Sequence, residues 1–61
     1  MSDLDRLAKL RHDIANPLSA LLAETQLLLL DPKELPPEVL ASLKEIEGLA
    51  IRMRNLLRRG D

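Results

Sequence analysis

The sequence predicts an all-α protein, an antiparallel helical hairpin that homodimerises into a four-helix bundle. Three observations carry this. Sixteen of the 61 residues are leucine and six are alanine, both good helix formers, against one valine, three isoleucines, one threonine and no aromatic residue. Apolar residues recur at steps of three and four along two long stretches. A single breaker cluster, Asp31-Pro32-Lys33-Glu34-Leu35-Pro36-Pro37, separates those stretches.

The first helix is expected over about residues 3–30. Ser2 followed by Asp5 resembles a capping box, and Asp3 and Asp5 suit the positive end of a helix. Leu4, Leu7, Ile14, Leu18, Leu21 and Leu28 then form a stripe, with Arg11 and Thr25 in its two gaps. Ala8, Ala15, Leu22 and Leu29 widen the stripe to one side. Pro32 stops the helix and pushes Asp31 out of the helical region, so a turn is expected over 31–36. The second helix is expected over about 37–59, opening at Pro36 or Pro37 with Glu38 in its first turn. Its stripe is Val39, Leu43, Ile46, Ala50, Met53 and Leu57, flanked by Leu40, Leu49 and Leu56, and Gly60 is the expected C-cap.

Each apolar face is wider than one neighbouring helix covers. A chain below roughly 70–80 residues rarely gains more than a few kcal/mol from a core of its own, and no cysteine is present to supply a disulfide. Two hairpins packed face to face share one core, so a homodimer is expected.

Charge excludes several classes. Nine Lys and Arg balance ten Asp and Glu, net −1, without the basic excess that a nucleic-acid grip needs. Arg52, Arg54, Arg58 and Arg59 cluster near the end, either as cations at a helix C-terminus or as an anion-facing patch. The longest uninterrupted aliphatic run is Leu27–Leu30, far short of a membrane span, and the acidic amino-terminal residues are unlike a signal peptide. No direct membrane insertion and a cytoplasmic location are expected, with any membrane attachment supplied by other domains. No metal site is expected: His12 is the only histidine, and Asp13 is not one helical turn from it.

One segment, His12-Asp13-Ile14-Ala15-Asn16-Pro17-Leu18, breaks the helical rules. Pro17 removes the hydrogen bond to the Asp13 carbonyl and clashes with it, a cost of about 3 kcal/mol in a helix interior. The proline is either a tolerated kink or a bend beside a working site. His12 lies on the outward side, with Asn16 one turn along on the same face. Asp13 is placed to accept from the imidazole Nδ1–H, which leaves Nε2 as the free nucleophile.

These residues resemble the H-box of sensor histidine kinases: His, an acid, Leu or Ile, a variable residue, Thr or Asn, Pro, Leu. Leu43 to Ile46 resembles the Leu-x-x-Ile segment of the same family's second helix. The resemblance spans nearly the whole chain and matches the dimerisation and histidine-phosphotransfer domain. Ala15 departs from it, standing where Arg, Lys or Asn is common. The resemblance implies that His12 is the phospho-acceptor, taking the γ-phosphoryl of ATP on Nε2. It implies that Asp13 is the general base that orients the ring, that Asn16 aligns a water for dephosphorylating the regulator, and that Pro17 bends the helix. The phosphoryl group then passes to an aspartate in the receiver domain of a response regulator. The resemblance also implies an ATP-dependent protein-histidine kinase whose ATP-binding domain supplies ATP and Mg²⁺. Nothing like that domain's Asn-rich and Gly-rich motifs is found among these residues, which hold only two glycines and two asparagines. This segment is expected to bind no cofactor itself and not to autophosphorylate alone.

The regulator is expected to dock on the loop-side flank beside His12, at Asn16, Ser19, Ala20, Ala23 and Leu27. In a hairpin turning near residue 33, Leu18 and Gly48 fall at one level, and Glu38, Ser42 and Glu45 face the loop-side half of the first helix. Leu27 and Leu30 fall partly outside the core stripe, either as docking surface or as thickening of the dimer core. Two other functions stay open: a structural dimerisation hairpin in which His12 is incidental, and a stand-alone phosphotransferase. A monomeric phosphotransfer module is disfavoured, because Ala15 and Asn16 stand where its Lys-Gly would follow the histidine.

Overall fold

The computed structural model describes residues 2–59, and Gly60, the expected C-cap, lies outside them. Two α-helices, α1 over Asp3–Leu28 and α2 over Pro37–Arg59, run antiparallel with one 3₁₀ turn, Pro32–Glu34, between them. The result is a rod 49 Å long and only 15 by 12 Å across, two helices thick with no further layer. Among the described residues no helix is long and apolar enough to cross a membrane.

Both helix starts follow from local chemistry. The Ser2 side chain accepts from the Asp5 backbone N–H at 3.1 Å, satisfying one of the donors left free at the first turn. Pro36 plays the corresponding part for α2: its carbonyl accepts from Leu40 N–H at 2.9 Å, and Pro37 occupies the first helical position, where a missing N–H costs nothing. The end of α1 comes two residues before the expected Leu30. Leu30 N–H bonds to the Leu27 carbonyl at 3.2 Å, a tightened last turn, because Pro32 keeps Asp31 out of the helical region and denies the helix a further regular turn. Pro17 does not interrupt α1, which continues through it.

The expected stripes separate into two. Leu18, Leu22 and Thr25 of α1 and Ala50 of α2 are buried, and Ile51 and Leu57 pack against them. Arg11, Ala15 and Leu29 extend this seam along α1, and Leu40, Leu43, Glu47 and Arg54 extend it along α2, all half-buried. The step along α1 from Arg11 to Leu29 is four, three, four, three, four, so one face meets α2. Thr25 fits this seam because its hydroxyl donates to the Leu21 carbonyl at 2.8 Å, which satisfies the buried polar atom.

Leu4, Leu7, Ile14, Leu21 and Leu28, expected in the core stripe, remain exposed, as do Val39, Ile46, Leu49, Met53 and Leu56 on α2. On α1 this outer stripe lies one position, about 100° of helix rotation, from the seam. One neighbour covers one stripe, and each helix carries two. Glu38, Ser42 and Glu45 are also exposed, so α2 meets α1 through its seam rather than through these residues.

Candidate functional site

His12 lies in the amino-terminal half of α1, exposed, at the open end of the hairpin and away from the turn. It borders a cleft of about 320 Å³ between the two helices. Ala8, Arg11, Ala15 and Ser19 line the cleft from α1, and Arg54, Leu57 and Arg58 line it from α2. The antiparallel pairing makes this possible: the start of α1 lies beside the end of α2, where the arginines are concentrated. Ala8 and Ala15 contribute small side chains to the α1 wall, and Arg54, Leu57 and Arg58 contribute long ones to the α2 wall.

Asp13 does not take the partner expected for it. Its Oδ2 accepts from Lys9 Nζ at 2.9 Å, an exposed i, i+4 ion pair along α1. The helix explains this, since consecutive residues point about 100° apart while residues four apart are neighbours. Asn16 is exposed one turn beyond His12. Pro17 carries no N–H, so the Asp13 carbonyl lacks its helical donor just beside the site. Of the expected docking flank, Ser19 lines the His12 cleft, while Ala20, Ala23, Leu27 and Ser42 are exposed outside it.

The site residues that sequence reasoning under-weights are the arginines. The terminal cluster divides in the structure: Arg54 and Arg58 line the cleft, whereas Arg52 and Arg59 are exposed elsewhere. A signal was present, because Arg11 fills a gap in an apolar stripe and Arg54 follows Ala50 by one helical turn on the seam. Arg54 Nε is buried and has no hydrogen-bond partner among the described residues. A buried N–H without a partner costs about 1–3 kcal/mol, so this donor marks where an acceptor would be favourable.

The chain is thus a two-helix hairpin with one exposed histidine bordering a cleft between the helices. The family model for the His Kinase A (phospho-acceptor) domain matches residues 4–59, both helices and the turn. The chain belongs to that family, whose members are parts of histidine kinases and generally dimerise. No curated protein and no solved structure matches it closely.

Proposed function

We propose that this chain is the phospho-acceptor and dimerisation unit of a two-component sensor histidine kinase, with His12 as the residue phosphorylated. The observation that carries this is the position of His12 in the matched domain: the chain's only histidine, exposed on α1 and bordering a cleft between the helices. ATP and Mg²⁺ are presented by a separate ATP-binding domain. The Nε2 lone pair forms a bond to the γ-phosphorus as the bond from phosphorus to the bridging oxygen breaks, and ADP leaves with that electron pair. The ring gains positive charge, and its Nδ1 proton passes to the Asp13 carboxylate acting as general base. For this, Asp13 exchanges Lys9 for the imidazole, a small rearrangement because the ion pair is solvent-exposed. A receiver-domain aspartate then attacks the phosphorus, and the N–P bond returns its electrons to Nε2 as the proton held by Asp13 returns to Nδ1, so that the ring leaves as neutral imidazole. Asn16, on the exposed face one turn along, aligns the water that removes the phosphoryl group from the regulator.

Pro17 contributes by leaving the Asp13 carbonyl without a helical donor and bending α1 beside the acceptor. The outer apolar stripes of both helices are the surface of a homodimer, which turns two hairpins into a four-helix bundle. The segment without its ATP-binding domain does not autophosphorylate.

The test mixes the chain with ATP, Mg²⁺ and a histidine-kinase ATP-binding domain and follows acid-labile phosphate. Labelling of the wild type that disappears in His12→Gln is expected. Labelling that persists in His12→Gln, or is absent from a folded wild type, overturns the assignment. Asn16→Ala is expected to keep the labelling and to weaken dephosphorylation of the phosphorylated regulator.

A further inference from the structure

The matched family explains a histidine on α1, but it does not explain why three arginines from two helices converge beside it. Arg11 and Arg54 occupy half-buried seam positions, where the helices otherwise present aliphatic residues apart from Thr25 and Glu47. Arg58 joins them from the last turn of α2. No carboxylate lines the cleft, and among the described residues the one ion pair within 4 Å is Lys9–Asp13, so these three guanidiniums have no acidic counterpart. Gathering like charges in a partly desolvated place is unfavourable unless an anion joins them. The unpartnered Nε of Arg54 adds a directional donor at the same place.

We propose that Arg54 and Arg58, assisted by Arg11, form a phosphoryl-binding subsite that holds the oxygens of the group carried by His12. The inference rests on reading His12 as the phospho-acceptor. A phosphoryl group on Nε2 brings three acceptor oxygens and close to two negative charges, and guanidinium forks match such oxygens with paired donors. Ser19 supplies a hydroxyl on the same wall of the cleft. Ala15, small, lies on the α1 wall of the same cleft, and the positive charge there comes from Arg54 and Arg58 on the opposite helix. Arg54 and Arg58 act as positioning residues: they fix the phosphoryl group against one wall and leave its far side open to the incoming aspartate.

The test loads His12 chemically with phosphoramidate, which needs no kinase domain and, with one histidine in the chain, gives a single phosphohistidine. The ³¹P resonance is titrated against pH in the wild type, Arg54→Gln, Arg58→Gln, Arg54→Lys and Arg59→Gln, alongside ¹H–¹⁵N spectra of the arginine Nε–H groups. Opposite charges favour the dianion, so the wild-type midpoint is expected about half a unit or more below those of Arg54→Gln and Arg58→Gln. Arg54→Lys is expected to fall between, keeping the charge and losing the fork, and Arg59→Gln to match the wild type. The Arg54 Nε–H is expected to move downfield on phosphorylation. Should Arg54→Gln lose helicity by circular dichroism, Arg58→Gln, at an exposed position, decides the matter alone. Equal midpoints in the wild type and the Gln variants overturn the subsite, even where ATP labels His12. A lowered wild-type midpoint supports it even where ATP labelling fails, and then it is the phospho-acceptor reading that falls.

Discussion

Lys9 Nζ lies 2.9 Å from Asp13 Oδ2, so the carboxylate next to His12 in sequence is held by a cation one turn back along α1. Both side chains are more than half exposed, and an i, i+4 pair of this kind contributes about 0.3–0.5 kcal/mol to a helix. That is small beside the gain from a well-placed general base, so on the proposed mechanism the imidazole takes the place of Lys9. Asp13→Asn is expected to slow labelling of His12 about 10²–10³-fold, the lower part of the range for such help. Lys9→Ala is expected to leave the labelling rate unchanged or slightly raised and to lower stability by less than about 0.5 kcal/mol. Full labelling in Asp13→Asn refutes the base role. A large loss in Lys9→Ala shows instead that the lysine is needed at the site.

The outer stripe bears on oligomeric state. Leu21, Leu28, Ile46, Leu49, Met53 and Leu56 are all at least 40% exposed in one hairpin, on the sides of both helices that the seam does not use. Burying a leucine contributes about 1.5–3 kcal/mol, and 1.4 kcal/mol changes a dissociation constant tenfold. Sedimentation equilibrium is expected to give twice the 6.9 kDa chain mass at micromolar concentration. Leu21→Glu or Met53→Glu is expected to raise the dissociation constant by at least about tenfold. Helicity should fall with it, because a hairpin that buries only Leu18, Leu22 and Ala50 among its described apolar residues has little core of its own. A well-folded 6.9 kDa monomer is the contrary result.

Much of this was legible beforehand because helices announce themselves locally. Ser2 capping onto Asp5, Pro32 ending α1 and Pro37 opening α2 depend on neighbours within a turn, and each is found where the sequence places it, to within two residues. The division of the apolar face was not legible. Ile14 and Ala15, or Leu21 and Leu22, are equally suited to a core, and only the rotation of one helix against the other buries Leu22 and exposes Leu21. The same rotation brings Arg54 and Arg58 to the His12 cleft and leaves Arg52 and Arg59 outside. The Lys9–Asp13 pair was not singled out beforehand for a related reason: it depends on which of several neighbours one turn away a side chain meets.

Gly48 sits in the middle of α2, exposed, and a Cβ built on it meets no atom within 4 Å. Glycine in a helix interior is less favourable than alanine by about 0.5–1 kcal/mol, because the unfolded chain loses more freedom. Gly48→Ala is therefore expected to raise the midpoint of thermal unfolding by several degrees without changing the dimer mass or His12 labelling. A fall in the midpoint places a close neighbour against Gly48 in the assembled dimer.

Docking of the regulator is expected along the exposed residues of α1 beyond His12. Asn16, Ala20 and Ala23 follow at helical steps on one flank, small enough for another protein's helix to approach the backbone, and Leu27 continues them with 59% of its surface exposed. The outer apolar stripe passes through Leu21 and Leu28, so Leu27 stands at its margin. Ser42 is exposed on the loop-side half of α2. On the proposed function a receiver aspartate must reach the phosphorus on His12, and this flank is the expected side of approach. Ala23→Glu places a charge in the middle of that flank, away from both the seam and the cleft. It is expected to slow phosphoryl transfer about tenfold or more, the effect of one buried like charge or steric block of roughly 1.4 kcal/mol, while labelling and dimer mass stay as they are. Leu27→Glu reports on the ambiguity directly. Slow transfer with an intact dimer assigns Leu27 to the regulator, whereas a dissociated dimer with unchanged transfer per folded molecule assigns it to the bundle and moves the docking surface elsewhere.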